Sequence, residues 1–293
     1  MANKDIDNYR EVPIKLNGQN IMVGGFSRYE MDSNEGAMTR VKNKGVEAVV
    51  SLAGNYKKQF ENAGMDPKFY TSDTTAVYDW FNTPYKEGNE IKPEVYDAVY
   101  EAVVAAQKEG KKIAIHCGAG DGRTGTALSS LKLRELLEEA YNKNPKDFNS
   151  EQNKSEEIHM HHGVNGSLGG NVKVTPLVKQ AIEEVRTKSV NADGSIGHHD
   201  SVESRNDVET LMLYEKHLRD QLVLQHKKAQ ESKSNINSDA STAVSSEDES
   251  QKQGNKTKSL ADESRSFKSK LKETKSDNEI ENEEEQRKQP FKP

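Results

Sequence analysis

The chain has 293 residues, of which 32% are hydrophobic and 31% charged, and its formal net charge at pH 7 is −6. The acidic excess argues against general nucleic-acid binding, which depends on positive charge. The sequence contains no apolar run of transmembrane length, no signal-peptide core near its start, and a single cysteine that excludes an intramolecular disulfide. These features predict a cytoplasmic protein, because the cytoplasm is a reducing compartment.

The composition changes along the chain. Residues 226–293 consist mostly of Ser, Lys, Glu, Asn and Gln, with few large apolar side chains. Such a segment buries too little apolar surface to offset the entropy cost of ordering it. We therefore expect one globular domain over residues 1–225 and a disordered, charged tail over residues 226–293.

The first predicted elements are strands and short helices. Residues 10–25 alternate apolar and other side chains around the turn Asn17-Gly18, which predicts a β-hairpin. Pro13 restricts the first strand to a sheet edge, and Gly24-Gly25 is expected to end the second. The pattern then predicts a helix over 34–44, a buried parallel strand over 46–52, a helix over 55–63 and a strand over 68–71.

The middle of the chain alternates loops, helices and one apolar strand. Residues 72–84 predict an aromatic loop, and Pro93 opens a helix that ends at Gly110. A strand over 113–115 and a helix over 123–141 flank a glycine-rich loop. Alternation of this kind predicts an α/β fold with a mostly parallel central sheet flanked by helices.

The remainder of the domain contains a polar region and two helices. Residues 142–174 are polar and Gly-rich, which predicts an insertion or loop. Thr175-Pro176 is an N-cap and first-turn pair for the next helix. Residues 189–200 predict a loop, and Ser201 is expected to open the last helix.

The glycine-rich loop holds the residues that predict chemistry. Cys117 lies where the strand over 113–115 meets the loop, and Arg123 follows after five residues at a helix N-terminus. Such an N-terminus offers unpaired N–H groups and a positive dipole end, and glycines let those N–H groups curl around an oxyanion. The planar fork of Arg suits two phosphate oxygens, and the same field favours a nucleophilic thiolate at Cys117. The predicted phosphate-binding residues are Gly118, Ala119, Gly120, Asp121, Gly122 and Arg123.

The segment from His116-Cys117 to Arg123-Thr124-Gly125 resembles the H-C-x5-R-[ST] signature of the protein tyrosine phosphatase superfamily. Its glycine spacing looks most like the dual-specificity, phosphoinositide-phosphatase and cysteine-phytase members. The resemblance implies a phosphatase that needs no cofactor and no metal, with catalysis by Cys117 and Arg123. It also implies that His116 hydrogen-bonds the loop and that Thr124 steadies the thiolate as a leaving group.

The resemblance also implies a general acid, an Asp on a mobile loop that precedes the Cys. The stretch from Val77 to Pro84 resembles that loop, so Asp79 is the expected acid and Asp73 the alternative. The closing helix of the family often carries a Gln that positions water. In this chain Asp207 or Glu209 lies near the position that this Gln would occupy.

Two substrate classes follow from the resemblance: phosphorylated proteins, at Tyr with Ser/Thr also open, and inositol phosphates or phosphoinositides. We expect a protein tyrosine or dual-specificity phosphatase. The carboxylate of Asp121 weakens the positive field of the loop and counts modestly against a polyanionic substrate. A catalytically inactive phosphate-binding module is a third hypothesis, disfavoured by the intact Cys, Arg, Thr and candidate Asp.

Two further patterns concern partners and metals. The acidic cluster Glu281–Glu285 near the C-terminus resembles translocation signals of type IV secretion effectors from intracellular bacteria such as Legionella. That resemblance implies the type IV secretion machinery as a partner and a host cytosol as the destination. His159–His162 and His198-His199 lack the spacing of a metal site, so no metal is predicted.

Overall fold

The computed structural model describes residues 9–27, 36–53, 56–70, 93–145, 148, 153–160, 170–197 and 201–240. The chain divides into the units Met1–Asn235 and Ile236–Pro293, and only the end of the last helix is described in the second. The strands are β1 (Arg10–Leu16), β2 (Gln19–Ser27), β3 (Ala48–Ser51), β4 (Asp66–Tyr70), β5 (Ile113–Cys117), β6 (Glu156–His159), β7 (Asn171–Val174) and β8 (Val190–Asn191). The helices are α1 (Gly36–Asn43), α2 (Lys57–Asn62), α3 (Pro93–Lys108), α4 (Gly122–Lys143), α5 (Pro176–Lys188) and α6 (Arg205–Ala240).

The central sheet has the strand order β4-β3-β5-β2-β1-β8. Strands β2, β3, β4 and β5 pair in parallel, whereas β1 pairs antiparallel with both β2 and β8. The prediction of a mostly parallel sheet flanked by helices is therefore confirmed. Because the parallel strands share one direction, the carboxyl ends of β2, β3 and β5 meet at one edge, where ligands bind in such sheets.

The predicted N-terminal hairpin is present. Asn17 and Gly18 both have positive φ, +50° and +78°, as the tight turn between β1 and β2 requires. The prediction that Gly24-Gly25 ends the second strand is wrong, because β2 continues through both glycines to Ser27 and pairs with β5. A Cβ on Gly24 would lie 2.8 Å from the Ala114 Cβ, so this glycine allows close approach of two strands.

The outer edge of β1 carries Pro13, as predicted for an edge strand. On this edge, β8 pairs only with Arg10 and Glu11. Pro13 has no N–H group, and the next outward N–H, that of Lys15, donates to Glu135 Oε2 of α4 at 2.9 Å. The outward N–H groups along this edge are therefore occupied from within the chain or absent.

Each face of the sheet covers its own core. The main core lies against α3, α4, α5 and α6, and the second core lies against α1 and α2. Alternation along β5 directs Ile113, Ile115 and Cys117 to the main core and Ala114 to the second. The cysteine therefore faces the helices that follow it in the chain.

The polar region over residues 142–174 contains more structure than its composition predicts. Strands β6 and β7 pair antiparallel as a separate two-stranded sheet. Ile158 and Met160 are buried in the main core, as is Phe148, whose carbonyl accepts a hydrogen bond from the buried Arg219 of α6. Within its described residues, this region is thus fixed to the body of the domain.

The C-terminal third differs from the prediction in its details. The predicted loop over 189–200 contains the short strand β8, and the last helix begins at Arg205 and continues past Gln225 to Ala240. The boundary predicted at residue 225 falls inside that helix, and residues 241–293 lie outside the described part, so the disordered tail stays a prediction. Among the described residues, no helix is both long and apolar enough to cross a membrane.

Candidate active site

Strand β5 delivers Cys117 to the carboxyl edge of the sheet. The side chain is 3% exposed, and its Sγ accepts a hydrogen bond from the Gly120 backbone N–H at 3.2 Å. This hydrogen bond ties the loop to the sulfur atom.

Glycine at position 120 is required by both conformation and space. Its φ is +97°, and a Cβ there would lie 2.9 Å from the Ser27 nitrogen. Ser27 Oγ in turn donates to the Gly118 carbonyl at 3.0 Å. The end of β2 thus anchors the loop from one side.

Arg123 occupies the first turn of α4, immediately after the loop. Its Nη1 donates to the Leu52 carbonyl at 2.6 Å, so the end of β3 fixes one side of the guanidinium. Among the described residues this is its only hydrogen bond, and the side chain is partly exposed. Within the described part of the chain, the other N–H donors of Arg123 have no hydrogen-bond partner, which suits contact with a ligand.

The amino end of α4 adds backbone donors to the same place. The first intrahelical hydrogen bond runs from the Gly125 N–H to the Asp121 carbonyl at 2.8 Å. The N–H groups of Gly122, Arg123 and Thr124 therefore have no acceptor within the helix. This is an arrangement that favours a bound anion.

Asp121 lies beside a buried cation. Its side chain is 12% exposed, and its Oδ1 lies 4.0 Å from Nη1 of the fully buried Arg10. Arg10 was not predicted as a neighbour of the loop, because a single Arg in an alternating strand gives no signal of its partner. The charge of Arg10 offsets part of the negative charge that Asp121 brings to the loop.

His116 points to the opposite face of the sheet from Cys117. Its ring is fully buried and contacts the rings of Phe26, Tyr56 and Phe60 at centroid distances of 5.2, 5.9 and 5.2 Å. Its Nδ1 lies 3.4 Å from the Cys117 carbonyl oxygen. This contact places the imidazole against the start of the loop.

Thr124 is fully buried, and its hydroxyl makes no hydrogen bond to the described residues. Its methyl group packs on β2, where a Cβ on Gly25 would lie 2.9 Å from Thr124 Cγ2. A buried hydroxyl with no protein partner is costly unless a ligand or ion uses it. The position thus suits a role towards the sulfur atom or a bound phosphate.

Two carboxylates at the start of α6 border the loop. A Cβ on Gly122 would lie 3.1 Å from Glu203 Oε2 and 3.4 Å from Asp207 Oδ2. Burial raises the pKa of Asp207, and hydrogen bonds from Ser204 and Thr126 and the charge of Arg123 only partly oppose the rise. Of the two acids near the expected water-positioning place, Asp207 therefore faces the loop.

Glu209 has a different environment, since its Oε1 accepts a hydrogen bond from Arg205 Nε at 2.8 Å on the helix surface. Glu203 was not among the residues predicted to lie at the site. Its only signal was its position within Val202-Glu203-Ser204, at the start of the closing helix.

Gly125 allows the turn before α6 to touch α4. A Cβ on this glycine would lie 2.6 Å from the Val202 nitrogen and 2.9 Å from the Ser201 Cα. Both are backbone atoms, so relief would require a shift of the turn itself.

We expect Gly125→Ala to lower the free energy of unfolding by about 1–3 kcal/mol, as overpacking does, and to lower phosphatase activity because the turn moves. Denaturant unfolding measures the first effect and aryl phosphate hydrolysis the second. Gly170→Ala is the matched control, because a Cβ there has nothing within 4 Å. Equal free energies of unfolding for the two variants would show that the turn can shift without loss of stability.

Some predicted residues cannot be placed. Asp79 and Asp73 lie outside the described residues, as do His161-His162 and His198-His199. His159 is described, with its Nδ1 3.3 Å from Asn171 Oδ1. Among the described residues no group of three His, Cys, Asp or Glu side chains is arranged to hold a metal ion.

The fold and the loop place a cysteine and an arginine close to the N-terminus of one helix in an α/β domain. Residues 34–162 match the family model described as Swiss Army Knife protein, DSP-PTPase phosphatase domain. This segment, which includes the Cys117 loop, is thus similar to phosphatase domains of the protein tyrosine phosphatase superfamily. No curated protein matches the sequence significantly.

Several solved structures are similar to the chain. Tk-PTP in the active form is 16% identical, covers 70% of this chain and 97% of its own, and has a TM-score of 0.35. PTPMT1 in complex with PI(5)P is 12% identical, covers 68% and 94%, and has a TM-score of 0.37. Kinase associated phosphatase is 11% identical, covers 74% and 98%, and has a TM-score of 0.41.

Proposed function

We propose that the protein hydrolyses phosphomonoesters through a phosphocysteine at Cys117. The observation that carries the proposal is the loop itself, which directs the Gly120 N–H at the Cys117 sulfur and begins the helix that holds Arg123. In the first step the thiolate attacks phosphorus, an S–P bond forms and the ester P–O bond breaks. Arg123 and the loop N–H groups hold the equatorial oxygens, so they position the group and stabilise its charge.

Two proton transfers accompany the proposed reaction. Asp79, as the acid, gives its proton to the leaving oxygen in the first step. In the second step water attacks phosphorus, its proton passes to the Asp79 carboxylate, and the P–S bond breaks. The products are inorganic phosphate and the Cys117 thiolate, which the Thr124 hydroxyl stabilises.

We expect Asp79→Ala to lower kcat by about 10² or more, within the usual range for an acid–base group. The basic limb of the pH–rate profile should disappear, because that limb reports the loss of the acidic proton. Steady-state kinetics on an aryl phosphate across pH measures both effects. The matched control is Asp73→Ala, and a loss in that variant alone would assign the acid to Asp73.

For the substrate, we propose phosphotyrosine in proteins, with phosphoserine and phosphothreonine also accepted. The carboxylates of Glu203 and Asp207 beside the loop support this choice, since negative charge there disfavours a ligand with several phosphates. Inositol phosphates and phosphoinositides are the alternative. The ion pair between Asp121 and Arg10 supports this alternative, because it offsets part of the negative charge at the loop. Comparing kcat/KM for phosphotyrosine peptides, inositol hexakisphosphate and phosphoinositide vesicles decides between them.

An inactive phosphate-binding module is the third hypothesis. It would bind inorganic phosphate but would not turn over an aryl phosphate. The export signal predicted at Glu281–Glu285 lies outside the described residues, and it stays a separate proposal that the phosphatase reaction does not need.

A further inference from the structure

We propose that Arg186 is a positioning residue of this active site, although it lies outside the segment that matches the family model. Arg186, on α5, holds the turn Ser201–Ser204 in the conformation that seats the start of α6 against the loop. It also ties the two-stranded sheet of β6 and β7 to the same turn. The effect on catalysis rests on the proposed phosphatase function, whereas the effect on phosphate binding can be measured without turnover.

The turn contains a backbone conformation that needs support. Val202 has a φ of +61° and is fully buried. A β-branched residue is a genuine outlier in the left-handed region, because its Cβ crowds the backbone there. Such a conformation persists only when its surroundings hold it, and it is typical of functional sites.

Arg186 supplies that support through the backbone. Its Nε donates to the Ser201 carbonyl at 2.9 Å, and its Nη2 donates to the Val202 carbonyl at 2.9 Å. The guanidinium is planar, so two donors on one fork fix the relative orientation of two adjacent peptide groups. A lysine could not reproduce this, because its ammonium is a single point of charge.

The same guanidinium reaches the region predicted as an insertion. Its Nη1 donates to the His159 carbonyl at the end of β6 at 3.0 Å, and its Nη2 lies 3.8 Å from Met160 Sδ. Met160 is 1% exposed. The small sheet thus contributes a fixed acceptor that orients Arg186 from the side opposite the turn.

The turn meets the phosphate loop on its other side. Its backbone packs on Gly125, with the Val202 nitrogen 2.6 Å from where a Cβ would stand. Ser204 Oγ donates to Asp207 Oδ2 at 2.8 Å, and this carboxylate and that of Glu203 flank Gly122. A change in the turn therefore moves two negative charges relative to the loop and to Arg123.

The test compares the full-length wild type with Arg186→Ala, Val202→Gly and the double variant. One readout is kcat and KM on an aryl phosphate. The other is the protection by inorganic phosphate of Cys117, the single cysteine, from alkylation by iodoacetate. Circular dichroism at the assay temperature shows that each variant is folded. The control is Lys188→Ala, which removes an ion pair with Glu184 from the exposed surface of α5.

We expect Arg186→Ala to lower kcat by about 10- to 100-fold, the scale of a small misplacement, and to weaken phosphate protection. In the double variant, Val202→Gly should recover about half of the loss in log kcat caused by Arg186→Ala. The reason is that glycine adopts a φ near +61° without strain. Lys188→Ala should match the wild type. If Arg186→Ala does not fold, Arg186→Lys should show the same losses to a smaller degree.

Two results would overturn the inference. One is an Arg186→Ala protein with a lower melting temperature but wild-type kcat, KM and phosphate protection, which would make Arg186 a stabilising residue only. The other is a double variant no better than Arg186→Ala, which would show that Val202 is not what Arg186 holds. Phosphate protection that follows the expected order, with no turnover even by the wild type, would reject the proposed function and support the inference.

Discussion

Cys117→Ser should abolish hydrolysis, with a loss in kcat on the order of 10⁵-fold or more, as when a nucleophile is removed from other enzymes. A serine hydroxyl is not ionised at neutral pH, and no base is placed beside Cys117 to activate it among the described residues. The substitution is nearly isosteric, and the hydroxyl can accept the Gly120 N–H that now reaches the sulfur. Steady-state kinetics on an aryl phosphate measures the loss.

The fold should survive that substitution, so the melting temperature and the affinity for phosphate should stay close to wild type. Iodoacetate provides an internal control, because it should inactivate the wild type but label no site in a chain that has lost its only cysteine. Hydrolysis at the wild-type rate in Cys117→Ser would reject a phosphocysteine intermediate.

Arg123→Lys should reduce kcat/KM by about 10²–10³, the scale of losing one preorganised donor to a developing charge. Lysine keeps the positive charge, but its single nitrogen does not reproduce the planar fork that can bind the Leu52 carbonyl on one side and two phosphate oxygens on another. Phosphate protection of Cys117 from alkylation should weaken as well.

Arg205→Lys is the matched control for this substitution. Its side chain is 57% exposed at the start of α6 and pairs with Glu209 on the surface. Its kinetics should equal those of the wild type. Near-normal turnover in Arg123→Lys would instead assign the phosphate contact to the loop N–H groups alone.

Local patterns in the sequence predicted the parts of the fold that depend on neighbours in the chain. The turn at Asn17-Gly18, the N-cap at Thr175 and the glycine-rich loop after β5 each have a signal within a few residues. The candidate nucleophile Cys117 and the candidate phosphate-binding residue Arg123 both belong to the glycine-rich loop motif. Their arrangement at a helix N-terminus could therefore be predicted from spacing alone.

Features that depend on distant residues were missed. Gly24 lies inside a strand because Ala114 packs against it, and that contact joins segments far apart in the chain. Arg10 lies beside Asp121 because the start of β1 pairs with Gly25 near the end of β2, which borders the loop. The polar composition of residues 142–174 concealed a paired sheet, since Ile158 and Met160 supply its core contacts with few apolar residues. The periodicity of a sequence indicates which face of a strand or helix is buried, but it does not identify the distant residues that cover that face.

The outer edge of β1 has a consequence for behaviour at high concentration. Exposed rows of unpaired N–H and C=O groups let sheets of different molecules join and aggregate. Along this edge the N–H groups that point outward belong to alternate residues, and each position is closed in a different way. Glu11 pairs with β8, Pro13 has no hydrogen to donate, and Lys15 donates to a carboxylate of α4. A strand of another molecule therefore finds no continuous row of donors to extend the sheet on this side.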